Sequence, residues 1–298
     1  MIRVARVVGP EVLRQVRLIE LRTRRLVTTL FSGEYRSIFR GQGIEFAEVR
    51  QYESGDDYRA IDWNVSARMG SPYVKIFEEE RELTLLLVVD RSGSVEFGQP
   101  RTKANVAVEV AAVLALAAAR HNDRVGALLF ADQVEQVVPP AKGRRHALRV
   151  IRDLLAFMPE GRGTNLAAAL GYASRLLRHR AIVVVVSDFR AHGWEQPLQK
   201  LTIKHEVVAV TVDDPREFEL PDVGWIELQD AETGVRELVD TSDAAAGLRL
   251  RIAAEERRLA RARALKRASV DHVALSTDRP YTQALHDTFA ARARRLHR

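Results

Sequence analysis

Apolar residues follow a helical period near the start of the chain. They recur at three- and four-residue spacing over Glu11–Phe31, directly after Pro10, which predicts an amphipathic helix. Over Gly41–Glu80, aromatic and β-branched residues alternate with charged residues around several glycines, which predicts short strands and turns. We therefore expect residues 1–80 to form an N-terminal α+β extension.

From residue 81 onward, continuous apolar runs alternate with helical patterns. Such runs are typical of strands buried on both faces, so residues 81–298 are predicted to form an α/β domain. Its mostly parallel, Rossmann-type sheet would carry helices on both faces, with a hairpin inserted near residues 223–240. The expected strands are Leu83–Val89, Val125–Phe130, Ile182–Val186, Val207–Val212, the hairpin Trp225–Gln229 and Val235–Val239, and Val270–Ser276; the expected helices are Thr102–His121, Arg145–Phe157, Leu166–Arg178, Ala244–Lys266 and a terminal helix from Pro280.

Composition narrows the class of protein. Hydrophobic residues make up 46% and charged residues 29% of the 298 positions, as in globular proteins. The sequence has no cysteine, which excludes a disulfide framework, a thiolate zinc site and a cysteine nucleophile. The longest apolar run, Val110–Ala119, is half of the roughly 20 residues that span a bilayer, and no secretory signal pattern opens the chain. We expect a cytoplasmic protein without a membrane span.

The formal net charge of +6 arises at the C-terminus, where residues 249–298 carry 13 Lys and Arg against 5 Asp and Glu. One alternative function is nucleic-acid binding, because the basic stretches Arg249–Arg267 and Arg292–Arg298 would attract phosphates. Glu255 and Glu256 interrupt the first stretch, and no aromatic residue in it offers base stacking. A solvated helical face is favoured, and no nucleic-acid partner is expected.

Oxygen-bearing side chains follow two of the expected strands and begin the helix between them. Ligands of an open parallel sheet gather at the carboxyl ends of its strands. Oxygen donors without His or Cys suit a hard cation, so the sequence predicts a site for Mg²⁺ or Mn²⁺. Its residues are Asp90, Ser92 and Ser94 after the first buried strand, Thr164 as a ligand or a helix cap in the loop Gly161–Asn165, and Asp188 after Ser187.

This ordered set resembles the metal-ion-dependent adhesion site of von Willebrand factor A domains. The matching motifs are DxSxS after the first strand, Thr in a GxGTN loop and SD after a later strand, and Asp123–Phe130 resembles the approach to that family's second strand. The resemblance implies that Ser92, Ser94 and Thr164 contact the metal directly or through water. It also implies that Asp90 and Asp188 hold coordinating waters. With mainly neutral direct ligands, the ion would accept a carboxylate from a protein partner.

The N-terminal motifs Gly43–Phe46, Arg50–Tyr52, Gly55–Trp63 and Ser66–Arg68 resemble the signature of the bacterial "domain of unknown function fifty-eight" family. The similarity extends from roughly Gly41 to Asp240. Family members are commonly encoded beside MoxR-type AAA+ ATPases and often carry transmembrane segments before the signature, a habit from which this sequence departs. The resemblance implies a non-enzymatic, metal-dependent adaptor for such an ATPase, acting in assembly or remodelling of another protein.

Charged and aromatic residues of this signature have two interpretations. They form either a structural ion-pair network, which is favoured, or a docking surface. The residues are Asp56, Asp57, Arg59, Asp62, Trp63 and Arg68.

A second alternative function is metal-dependent hydrolysis of phosphate esters, because a hard cation with open coordination positions polarises a phosphoryl oxygen. The GxSxG elbow of hydrolases is absent around Ser92. No His or Glu adjoins the motif residues in sequence, although Glu96, Asp132 or Asp213 could approach them in space. The sequence therefore favours a protein without enzymatic activity.

Overall fold

The computed structural model describes residues 9–31, 49–75 and 83–296. The chain divides into two compact units, Arg40–Glu82 and a larger unit made of the remainder. The motif Gly43–Phe46 lies outside the described residues.

The boundary expected at residue 81 falls next to Leu83, where the larger unit resumes. The first helix, α1 (Pro10–Phe31), belongs to the larger unit, whereas the sequence pattern grouped it with the extension.

The smaller unit contains the short strands and turns that its pattern predicts. Two strands pair antiparallel, with Arg50 opposite Val74. The Asp62 carboxylate accepts hydrogen bonds from two amides of the following helix, which fixes where that helix begins. The elements are β1 (Val49–Gln51), a 3₁₀ turn (Tyr58–Ala60), α2 (Trp63–Met69) and β2 (Tyr73–Lys75).

Within residues 83–296, six strands form one sheet, in which only the edge strand β5 runs antiparallel. The order is β10-β7-β6-β3-β4-β5, the Rossmann-type order in which the sheet grows outward in both directions from its first strand. The predicted mostly parallel α/β fold is confirmed. The strands are β3 (Thr84–Asp90), β4 (Arg124–Phe130), β5 (Val134–Ala141), β6 (Ile182–Val186), β7 (Glu206–Asp213) and β10 (Asp271–Ser276), and β8 (Trp225–Gln229) and β9 (Arg236–Asp240) form the separate hairpin.

Helices cover both faces of this sheet. In β3, Leu85 and Leu87 face one apolar layer and Leu86 the other, which explains the continuous apolar run. No helix among the described residues has both the length and the apolar character needed to cross a bilayer. On the first side lie α3 (Lys103–Arg120), α4 (Arg144–Ala156) and α8 (Tyr281–Leu296), with α1 against α3 and α4; on the second lie α5 (Leu166–Leu176), α6 (Glu195–Lys204) and α7 (Ala244–Arg267).

Within residues 83–296, strand β5 and helix α6 are absent from the sequence prediction. Strand β5 ends in Pro139-Pro140-Ala141, and proline, which lacks an amide, is tolerated only at the edge of a sheet. Helix α6 carries Pro197 in its first turn, where no amide donor is required. In both places, prolines that would ordinarily argue against a regular element occupy positions where they are permitted.

Candidate metal centre

The candidate site lies where the strand order reverses. Strands β3 and β6 are neighbours, paired in parallel from Leu85–Ile182 to Val89–Val186. The sheet continues from β3 through β4 in one direction and from β6 through β7 in the other. In open α/β sheets, the loops at the carboxyl ends of two such strands form a crevice in which ligands bind.

Asp90 joins the loops that follow these two strands. Its carboxylate is fully buried, and Oδ1 accepts a hydrogen bond of 2.9 Å from the Ser92 amide. Its Oδ2 accepts a hydrogen bond of 2.6 Å from the hydroxyl of Ser187, at the end of β6. The hydroxyl oxygens of Ser92 and Ser94 lie 3.1 Å apart on the same loop. The structure therefore brings two hydroxyl donors and a carboxylate together at this edge.

The β6 loop is held in a strained conformation that presents Asp188. Phe189 has φ 54°, a left-handed value that costs a non-glycine residue on the order of 1–3 kcal/mol. Its amide donates to the Ser187 hydroxyl oxygen at 3.1 Å, and its ring packs edge-on against Trp194 at 5.0 Å. These contacts offset the strain and fix the buried Asp188 side chain beside Asp90.

Thr164 lies on the glycine-rich loop, which contacts the DxSxS loop. The Gly93 amide donates to the Arg162 carbonyl at 2.8 Å, which fastens this loop to the DxSxS loop. The cap alternative for Thr164 is wrong, because Asn165 caps α5 through the Ala168 amide. The ligand role of Thr164 stays a prediction. The Thr164 hydroxyl donates instead to Oε1 of Glu232 at 2.5 Å.

Glu232 belongs to the turn between β8 and β9, and no local sequence pattern predicts its position. The Asp230 carboxylate shapes this turn by accepting hydrogen bonds from the amides of Glu232, at 3.0 Å, and Thr233, at 2.7 Å. The turn lies so close to the DxSxS loop that a Cβ at Gly93 would stand 2.4 Å from the Ala231 carbonyl oxygen. The predicted hairpin is confirmed, and its tip lies against the candidate site.

Lys103, which the sequence analysis does not predict as a site residue, is a cation in direct contact with Asp188. It is fully buried at the start of α3 and donates to Asp188 at 3.0 Å and to Glu217 at 2.7 Å. Its sequence signal is a lysine at the start of a strongly apolar helix. Burial alone would raise the pKa of Asp188, but the charges of Lys103 and Arg190 outweigh it and lower that pKa.

Within the described residues, Asp90 pairs with no cation of this kind. Burial raises its pKa to about 6, and the neighbouring charge of Asp188 adds to the shift. A buried carboxylate without a cation is costly, and a bound cation would relieve that cost.

The donor set fits a hard cation. Ligands at about 2.0–2.1 Å around an octahedral Mg²⁺ lie about 2.9 Å from their neighbours, close to the 3.1 Å between the Ser92 and Ser94 hydroxyl oxygens. In the parts of the chain that the structure describes, no three Asp, Glu, His or Cys side chains converge as a metal-binding cluster. A metal at this edge therefore depends on hydroxyl oxygens as well as carboxylates.

The charged cluster of the smaller unit serves local structure. Asp56 accepts a hydrogen bond of 2.5 Å from Arg50, and Asp57 caps the 3₁₀ turn through the Arg59 amide. Asp62 caps α2, whose first residue, Trp63, is 70% exposed. Arg68 lies in the last turn of α2. The acidic members thus make an ion pair and two caps.

The acids named for a hydrolytic mechanism have structural contacts. Glu96 pairs with Arg91 at 3.2 Å, and Asp213 binds Arg261 through two hydrogen bonds of 2.9 and 2.5 Å. Asp132 lies so close to Gly161 that a Cβ there would be 2.1 Å from Oδ1. Glu96 and Asp213 would have to give up an arginine before acting as a base.

Several arginines of the C-terminal helices are paired within the chain. Arg258 donates to Glu255 at 2.8 Å, and the buried Arg261 holds Asp213. Arg292 bridges Glu206 and Asp271 across the sheet edge. These pairs reduce the positive charge that nucleic-acid binding would use.

The fold defines an α/β protein with a mostly parallel sheet, and the candidate site lies where the strand order reverses. Residues 48–262 match the family described as "Protein of unknown function DUF58", and the chain belongs to that family. The relative named "Uncharacterized protein Rv1480", from Mycobacterium tuberculosis, is 36% identical over 230 residues, covering 76% of this chain and 73% of its own.

Solved structures similar to this chain have low sequence identity. One is an aerotolerance-related membrane protein from Bacteroides fragilis, with 17% identity and a TM-score of 0.48 over 70% of this chain and 99% of that chain. Another is the SpRpn10 VWA domain, with 14% identity and a TM-score of 0.35 over 44% of this chain and 76% of that chain.

Proposed function

We propose that this chain is a non-enzymatic protein-interaction module that binds an acidic side chain of a partner through Mg²⁺ or Mn²⁺. The observation that carries the proposal is the junction at Asp90, whose carboxylate ties the β3 loop to the β6 loop beside two hydroxyl oxygens 3.1 Å apart. The proposed metal-binding residues are Asp90, Ser92, Ser94, Thr164 and Asp188.

The electrostatics favour adhesion over hydrolysis. The hydroxyl donors are neutral, and Lys103 offsets the charge of Asp188 at 3.0 Å. A divalent ion held here keeps much of its positive charge and supplies an electrophilic centre for an incoming carboxylate. Ser92, Ser94 and Thr164 orient that centre, while Asp90 and Asp188 accept hydrogen bonds from its water shell.

The proposed partner is a MoxR-type AAA+ ATPase or its client. This choice rests on the family resemblance, and it places the interaction in the cytoplasm, where ATP is available. The module would then act in assembly or remodelling of another protein.

The test is an affinity pull-down from native lysate with Mg²⁺ or EDTA, read by mass spectrometry. Baits are wild type, Asp90→Asn, Thr164→Val and Asp222→Asn, an exposed acid as the matched control. We expect one protein to be retained with Mg²⁺ by wild type and Asp222→Asn alone. Equal retention in EDTA, or by Asp90→Asn, contradicts the proposal.

A further inference from the structure

The chain carries its own carboxylate against the proposed metal site. Glu232 is half-buried at the hairpin tip, whereas Glu237 on β9 of the same hairpin is exposed. Oε1 of Glu232 lies 2.5 Å from the Thr164 hydroxyl oxygen, and these two residues are 68 positions apart in sequence. The contact therefore arises from tertiary structure and not from a local turn.

The hairpin tip is positioned by several independent contacts. The Asp230 carboxylate organises the turn, and the Gly234 amide closes it by donating to the Asp230 carbonyl at 2.8 Å. The Ala231 carbonyl rests on Gly93, a position where a side chain would collide with it.

The chemistry of the Thr164–Glu232 pair is compatible with a shared cation. A hydroxyl group has one proton and two lone pairs, so Thr164 donates its proton to Glu232 and keeps lone pairs for a metal. Neighbouring ligands of Mg²⁺ lie about 2.9 Å apart, so a carboxylate oxygen in contact with one ligand hydroxyl is near a coordination position of its own.

We infer that Glu232 is an internal ligand of the metal site and fills the position through which a partner's carboxylate would bind. The inference rests on the proposed function. In this arrangement, the β8–β9 hairpin of the same chain competes with the partner for the metal. Removal of the Glu232 carboxylate would lower the affinity of the site for the metal. It would also free a coordination position for an external carboxylate.

The test uses Mn²⁺ as the probe, with affinity measured by electron paramagnetic resonance and bound water by proton relaxation. The variants are Glu232→Gln, which removes the charge, and Glu232→Ala, which vacates the position; Glu237→Gln and Glu237→Ala are the matched controls. We expect Mn²⁺ affinity to fall about tenfold or more in both Glu232 variants and to stay unchanged in the controls.

Bound water gives a second readout. Glu232→Ala is expected to raise the relaxivity of bound Mn²⁺, since water replaces the carboxylate, and added acetate to lower it again. Wild type is expected to be insensitive to acetate at the same concentration.

The outcomes separate the two proposals. If wild type binds Mn²⁺ and Asp90→Asn does not, but the Glu232 and Glu237 variants behave alike, Glu232 is not a ligand and the proposed metal site stands. Tighter Mn²⁺ binding by Glu232→Gln likewise overturns the internal-ligand role. If Mn²⁺ at millimolar concentration binds to none of the proteins, both proposals are wrong.

Discussion

Lys103 donates a hydrogen bond of 3.0 Å to Asp188, and both side chains are only 1% exposed. The same ammonium group reaches Glu217 at 2.7 Å, which Arg190 also approaches at 3.0 Å. Two buried carboxylates therefore share two cations beneath the candidate site. This arrangement compensates the charge of Asp188, whereas no cation among residues 9–31, 49–75 and 83–296 pairs with Asp90.

Replacement of the buried lysine is expected to destabilise the protein strongly. In Lys103→Met, Asp188 and Glu217 lose a shared cation, and breaking a buried ion pair costs about 3–5 kcal/mol. The free energy of unfolding, measured with urea in the presence of EDTA, should fall by about 3–5 kcal/mol. The exposed Lys200→Met is the control, with an expected change within about 0.5 kcal/mol. A loss in Lys103→Met no larger than the control's would show that Arg190 alone neutralises the carboxylates.

Asp90→Asn is expected to preserve or raise stability in EDTA. Asparagine can still accept from the Ser92 amide and face the Ser187 hydroxyl, while the repulsion from Asp188 disappears. A gain of about 1 kcal/mol in urea unfolding is expected. The same chemical change in Asp213→Asn should cost several kcal/mol, because it leaves the buried Arg261 without its anion. A large loss in Asp90→Asn would show that its negative charge stabilises the metal-free fold.

Gly93→Ala is expected to displace the hairpin tip. The added Cβ would stand 2.4 Å from the Ala231 carbonyl oxygen, so the Thr164–Glu232 hydrogen bond should break at a cost of about 1–3 kcal/mol. Amide hydrogen exchange across the hairpin turn should accelerate. Gly247→Ala is the control, because no described atom outside the adjoining helix backbone lies within 4 Å of its added Cβ. Unchanged exchange in Gly93→Ala would contradict the close packing of this turn.

His272 is expected to make the fold sensitive to acid. Burial lowers its pKa to about 4, the charges of Arg261 and Arg258 add to this, and Asp213 opposes it. Because the unfolded chain has a histidine pKa of about 6.5, the unfolded state binds the proton first as pH falls from 6.5 to 4. The free energy of unfolding should therefore decline over this range, by about 2 kcal/mol from this residue after allowance for its partial exposure.

The check is urea unfolding at several pH values for wild type, His272→Gln and the exposed His286→Gln. Glutamine retains a group able to bond to Thr211, which lies 2.9 Å from the His272 ring. His272→Gln should flatten the decline and His286→Gln should not. An unaltered decline in His272→Gln would assign the acid sensitivity to other groups.

Much of the fold follows directly from the sequence because buried parallel strands are continuous apolar runs. Strand β6 has the predicted bounds Ile182–Val186 at both ends. Strand β5 does not show such an apolar run, because it is an edge strand in which Val138 is the buried residue and two prolines follow. Its assignment depends on pairing with β4, which no local pattern encodes.

The residues of the candidate site likewise include some that the sequence predicts and some that it does not. Asp90 and Asp188 are predictable because Asp90 ends β3 and Asp188 comes two residues after β6, and strand ends determine where a side chain emerges. Lys103 and Glu232 are not predictable, since they reach the site from elements 85 and 68 residues away from their partners Asp188 and Thr164. Their contacts depend on how α3 and the hairpin pack, which periodicity does not specify.

The two prolines of β5 also limit how this protein can assemble. An edge strand with free amides is a template for strand addition by another chain. Adjacent residues of a strand direct their amides to opposite sides, so the pair Pro139 and Pro140 removes one outward donor at the end of β5 and interrupts any ladder on its outer side there. Intermolecular sheet extension is therefore blocked along that part of the edge, and a partner that docks there must use side chains instead of backbone pairing.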